Sequence, residues 1–190
     1  MTENPHPDLL PAPPPEPRPA PVSSVRAWAR DVLISVGISA FFIIFLYQPV
    51  KVEGTSMLPG LEDQERIFIN KFVYRWEPIS RGDIIVFRYP RDPSKSYIKR
   101  VIAGPGDRIV IDKGRVFVNG NLQRELYVPA QFVDYRSYPE QVVPDNAFFV
   151  MGDHRSMSND SRDFGPVDRD YILGKAVLIY WPMDKLGLLH

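Results

Sequence analysis

Apolar positions follow three successive patterns along the chain. Residues 1–24 hold few large apolar side chains, and nine of the 20 prolines fall within the first 21 positions, as in Pro11-Ala12-Pro13-Pro14-Pro15-Glu16-Pro17. Such a segment cannot offset its ordering entropy by burial, which predicts a disordered, partly polyproline tail over 1–24. Sixteen uncharged residues then run without a break from position 32 to position 47. They are apolar on every side of a helix rather than along one stripe, and Gln48-Pro49 stops the helix. The pattern predicts a transmembrane anchor over 25–47, with Trp28 and Tyr47 at its two interfaces. No small-residue cleavage site ends the run, which favours a retained anchor over a removed signal segment.

Beyond Pro49 the period shortens to that of β-structure. Short β-branched or aromatic runs at 67–69, 83–89, 97–102, 108–111 and 115–118 are separated by Gly, Pro and Asp, and later runs lie at 147–151 and 176–181. Asp112-Lys113-Gly114 reads as a hairpin turn, and Asn119-Gly120 ends the strand that follows. No long amphipathic helix interrupts these runs. The expected fold class is mainly β: an antiparallel sheet domain over 48–190, preceded by one transmembrane helix. Residues 121–144 form a loop-rich excursion within a small insertion at about 106–147.

The length suits one domain of ordinary size plus an anchor. With 23 basic and 23 acidic residues the formal net charge is zero, so no global field draws the protein to nucleic acid. The absence of cysteine excludes a disulfide framework, a thiolate zinc site and a cysteine nucleophile. Three histidines, His6, His154 and His190, supply neither a multi-histidine metal site nor a conventional base. No metal or cofactor is expected. Arg26 and Arg30 before the apolar run, against Lys51 with Glu53 after it, place the N-terminus inside and the β domain outside the cytoplasm.

The candidate chemistry is a serine with a lysine. Ser56 follows the apolar run by nine residues, so an anchor would hold its hydroxyl near a membrane surface. Lys99 lies in Ser96-Tyr97-Ile98-Lys99-Arg100-Val101, a strand-like run. A serine hydroxyl is a poor nucleophile until a base takes its proton, and a lysine is that base only when neutral. Its free pKa near 10.4 has to fall, and burial does this; a shift of about three units corresponds to roughly 4 kcal/mol. Strand alternation sends Arg100 to the face opposite Lys99 and leaves Tyr97, Ile98 and Val101 as apolar surroundings.

Four stretches carry a resemblance: Gly54-Thr55-Ser56-Met57-Leu58-Pro59, Arg81-Gly82-Asp83-Ile84-Ile85-Val86-Phe87, the run from Tyr97-Ile98-Lys99-Arg100 to Gly104-Pro105-Gly106-Asp107, and Met151-Gly152-Asp153-His154-Arg155 through Asn159-Asp160-Ser161-Arg162. In type, order and coverage they resemble bacterial type I signal peptidases, the Ser-Lys membrane proteases. The resemblance implies that Ser56 attacks the scissile carbonyl, with Lys99 as general base. It implies that Ser158 orients the lysine and that Arg100, Asp153, Asp160 and Arg162 support the loop by ion pairs. Arg100 is the expected partner of Asp153. Val50, Val52, Tyr97 and Ile98 match substrate-facing positions, and the segment 49–53 is expected to pair with an extended substrate. Small residues, typically alanine, are implied at the first and third positions before the cut. The implied partners are preprotein signal peptides, a lipid bilayer and the protein export machinery, at the bacterial plasma membrane or a thylakoid membrane.

Gly54 departs from relatives that carry a serine there as an oxyanion donor. The backbone N–H of Ser56 remains as one donor, and the second is unassigned. His154 stands where asparagine is common in the family; it is disfavoured as a base because no glycine-serine-glycine elbow surrounds Ser56. Met57, Leu58 and Trp181 read either as an apolar surface facing lipid or as core. Two rival readings are a self-cleaving repressor, which the anchor argues against, and an inactive tethered β-domain, which the presence of both Ser56 and Lys99 argues against.

Overall fold

The computed structural model describes residues 22–189, with the side chains of 22–24 and 42–44 outside that description. Most of the expected tail therefore lies outside the described residues. The chain divides into two compact units, 1–42 and 43–190, and the β-structure lies wholly in the second.

Helix α1 (Val22–Leu46) begins ahead of the uncharged run and takes in Trp28 and both arginines. Val32, Leu33, Ile34, Val36, Ile38 and Phe41 are all exposed on it. At 3.6 residues per turn these positions circle the helix. Among the described residues no helix is long and apolar enough to cross a membrane by hydropathy.

Twelve strands follow: β1 (Tyr47–Lys51), β2 (Arg66–Asn70), β3 (Ile84–Tyr89), β4 (Asp92–Ala103), β5 (Arg108–Asp112), β6 (Arg115–Val118), β7 (Asn121–Leu122), β8 (Tyr138–Val142), β9 (Ala147–Met151), β10 (Val167–Asp168), β11 (Ile172–Trp181) and β12 (Gly187–Leu188). The larger sheet runs β1-β2-β11-β3-β4-β9-β10, with β12 on β11; the smaller runs β7-β6-β5-β8. Every pairing is antiparallel. The one helix in this unit longer than a 3-10 turn is α2 (Ser161–Phe164), capped by Asp160 and Asp163 in a reciprocal box.

Strand β4 changes partners along its length, and this creates the cleft. It pairs with β3 from Asp92 to Arg100, whereas β9 joins its other edge only from Arg100 onward. The stretch 95–99 therefore keeps one free edge. Strand β1 pairs with β2 alone and leaves a second free edge.

Three apolar clusters hold these parts. Ile102, Ala103, Phe149 and Met151 of the larger sheet pack with Ile109, Ile111, Val116 and Val118 of the smaller, so the two sheets share a core. Ile85, Phe87, Val101 and Val150 fill the middle of the larger sheet. Val52, Met57, Leu61, Ile67, Ile84 and Ala176 lie beneath the loop carrying Ser56. Met57 is thus core, 1% exposed, and not part of a lipid-facing surface. Its apolar side chain seats the loop on the sheet. Trp181 is about half exposed.

Candidate active site

Ser56 sits in the connection between β1 and β2, at the start of a turn built by local hydrogen bonds. Leu58 N donates to Thr55 O, and Leu61 N donates to Met57 O. Gly54 has a positive φ of 95°, a region L side chains avoid, and its N–H donates to Asp63 Oδ1 at 2.8 Å. The turn from Glu62 to Glu65 thereby fixes the approach to Ser56. Val52 is held on both sides, donating to Glu65 O and accepting from Gln64 N.

Lys99 reaches this loop from the free edge of β4. Its Nζ lies 2.7 Å from Ser56 Oγ and 3.0 Å from Ile98 O. The residue is 4% exposed. Burial lowers its pKa from 10.5 to about 8; the carboxylates of Asp160 and Asp153 pull it back up, and the Arg162 guanidinium pushes it down. Tyr97, on the same strand face, brings its ring centroid to 5.3 Å from Nζ.

Arg100 takes the opposite face. Its Nε and Nη2 donate to Asp153 Oδ1 and Oδ2 at 2.9 and 2.8 Å, its Nη1 donates to Gly82 O, and it lies over the Tyr127 ring. Asp153 is fully buried and Arg100 is nearly so. Asp160 accepts from Arg162 Nε and Nη2 at 2.8 Å each and from Gly152 N at 3.1 Å. Burial raises the Asp160 pKa, but the Arg162 guanidinium, the Ser158 hydroxyl and the Gly152 N–H together outweigh it and leave the carboxyl below its ordinary value.

Gly152 lets the loop carrying Asp153, Asp160 and Arg162 approach Ser56 closely. A Cβ there would lie 2.4 Å from Ser56 O and 2.3 Å from Ser158 Oγ, so no other residue fits without movement. Ser158 is buried in this contact and its hydroxyl makes no hydrogen bond of full geometry, to Lys99 or to any other group. It faces the Asp160 carboxylate closely enough to help lower that pKa.

Between β1 and the free edge of β4 lies a cleft of about 620 Å³. Val50, Val52, Tyr97, Ile98, Ser56 and Lys99 all line it. Val86, Met157 and Asn159 also line it, and the sequence assigned none of them a role. Nor did it assign one to three residues between β7 and β8 that grip the loop 152–162. Glu125 pairs with Arg155, Asp134 pairs with Arg162, and the Phe132 ring lies 4.2 Å from that of His154. His154 does not approach Ser56 Oγ; its ring Nδ1 meets Thr55 O at 3.2 Å. Among the described residues no His, Cys, Asp and Glu cluster could hold a metal ion.

A buried, neutralisable amine against a serine hydroxyl, in a cleft with two free strand edges, has the chemistry of a serine hydrolase acting on extended chains. The family described as signal peptidase, peptidase S26, matches residues 25–181. A signal peptidase I from Leptolyngbya laminosa is 35% identical over 99% of this chain and 95% of its own. A signal peptidase I P from Bacillus subtilis subsp. natto is 34% identical over 86% of this chain and 92% of its own. A solved signal peptidase I from Enterococcus faecalis V583 is 28% identical, covers 52% of this chain and 97% of that one, and has a TM-score of 0.47. The chain belongs to the S26 signal peptidase family. It is a serine endopeptidase that removes signal peptides.

Proposed function

We propose that Ser56 and Lys99 form the catalytic dyad. Neutral Lys99 Nζ accepts the Ser56 hydroxyl proton as Oγ attacks the scissile carbonyl, and the resulting ammonium gives that proton to the leaving amine. Water, deprotonated by the same amine, then hydrolyses the ester. The 2.7 Å contact between a buried amine and the hydroxyl carries this reading. The Ser56 N–H serves the oxyanion, the Ser158 hydroxyl orients Lys99, and the pairs Arg100–Asp153 and Arg162–Asp160 hold the loop 152–162 still.

The preprotein lies extended in the cleft, where the free edge of β4 and the segment ending β1 offer main-chain hydrogen bonds. Val50, Val52, Tyr97 and Ile98 contact it, and cleavage follows an Ala-X-Ala pattern. Positions 25–47 anchor the enzyme in the bacterial plasma membrane or a thylakoid membrane. The N-terminus is cytoplasmic, and the β domain sits on the side where the export machinery delivers preproteins. The exposed apolar residues circling α1 support the anchor. Acid-quenched reactions of the full chain in detergent with a preprotein test the chemistry: mass spectrometry is expected to find the signal peptide esterified to Ser56. An adduct on another residue contradicts it.

A further inference from the structure

His154 takes no part in the proton transfers above, yet it holds the nucleophile at two points. Its backbone N–H donates to Ser56 O at 3.1 Å, and its ring Nδ1 lies 3.2 Å from Thr55 O. A carbonyl oxygen only accepts, so Nδ1 carries the proton in this contact. The peptide group joining Thr55 to Ser56 is therefore held by its oxygen, which accepts from the His154 ring and from Leu58 N, each at 3.2 Å. In a trans peptide the C=O and N–H point in opposite directions within one rigid plane. Drawing Thr55 O toward His154 aims the Ser56 N–H the other way. Thr55 and Ser56 line the substrate cleft and His154 does not. The Ser56 N–H donates to no acceptor among the described residues.

The ring is itself fixed. His154 is 8% exposed and lies against Phe132, on the 3-10 turn Ala130–Phe132 between β7 and β8. Glu125–Arg155 on one side of that turn and Asp134–Arg162 on the other tie the same stretch to the catalytic loop. The aim of the Ser56 N–H is thereby set from the insertion. That aim carries unusual weight here, because residue 54 is a glycine with no side-chain donor and its own N–H is taken by Asp63.

We propose that His154 is a positioning residue for catalysis: its Nδ1–H fixes the Thr55–Ser56 peptide plane so that the Ser56 N–H meets the oxyanion of the transition state. The inference rests on Ser56 being the nucleophile. A donor that strengthens only in the transition state acts on kcat rather than on KM.

The test compares the full-length parent with H154A, H154L and H154N, using preprotein cleavage and inhibition by an alanine-ended peptide aldehyde. The aldehyde adds reversibly to Ser56 Oγ and places its oxygen in the oxyanion position. His154→Leu keeps apolar contact with Phe132 but has no donor, so it carries the comparison if His154→Ala does not fold. The donor-less variants are expected to lose about 10- to 100-fold in kcat with KM within about twofold, and to lose aldehyde affinity by a similar factor. His154→Asn, whose amide donates to the same carbonyl, is expected to recover most of the loss. A donor-less variant with parental kcat overturns the proposal, as does a loss confined to KM or an H154N no better than H154L. Activity surviving Ser56→Ala would instead remove the nucleophile assignment beneath it.

Discussion

Lys99 Nζ lies 2.7 Å from Ser56 Oγ across 43 residues of sequence, one group on the free edge of β4 and the other on a loop seated by Met57. The pair is assembled by packing rather than by local sequence, and burial sets its proton affinity. With the amine at about pKa 8, its reactive neutral form grows as pH rises. The kcat/KM of preprotein cleavage should climb about tenfold per pH unit below a break near 8. A profile flat from pH 6 to 9 argues against a lysine base.

The same burial has a cost in stability. The folded pKa of Lys99 is depressed, so between about 8 and 10.5 the unfolded chain binds more protons and stability rises with pH across that window. Below it, both states are protonated and the folded state bears the full penalty. Lys99→Met should therefore be inactive yet more stable than the parent at pH 7, by about 1 to 3 kcal/mol after loss of the amine's hydrogen bonds. Denaturant melts at pH 7 and pH 10 check this, and the gap should narrow at the higher pH.

Ser158→Ala separates positioning from folding. The hydroxyl is buried and lacks a hydrogen bond of full geometry, so its removal should change stability by less than about 1 kcal/mol. The cleavage rate should fall by at least about tenfold if it orients the amine. An unchanged rate in a folded variant removes Ser158 from the mechanism.

Arg100 and Asp153 are both buried and joined by two hydrogen bonds. Removing either partner strands a charge, and Arg100→Met or Asp153→Leu should each cost about 3 to 5 kcal/mol. The double variant R100M/D153L should be more stable than R100M alone. Additive losses in a double-mutant cycle contradict the pairing.

The sequence revealed the strands where β-branched runs alternate, as at Arg108–Asp112 and Arg115–Val118, because side-chain burial there follows local period. It also predicted that Lys99 and Arg100 part to opposite faces, a direct consequence of strand geometry. Strand β1, with the sequence Tyr-Gln-Pro-Val-Lys, and β8, with Tyr-Pro-Glu-Gln-Val, carried no such pattern. Each contains a proline and is held by a neighbour's ladder at a sheet edge. The contacts of Asp63, Phe132 and His154 were not legible for another reason. Their roles arise where loops distant in sequence meet, and no spacing encodes that meeting. Met57 stayed open between lipid-facing and core, because an isolated apolar residue in a loop carries no period, and only the cluster it joins decides.

The most direct measurement is cleavage of a preprotein by the detergent-solubilised full chain beside Ser56→Ala and Lys99→Ala, with melting curves to confirm that both variants fold. Product N-termini should follow an Ala-X-Ala sequence in the parent, and each variant should lose at least about 1,000-fold in rate. Near-parental cleavage by folded Lys99→Ala would contradict the account.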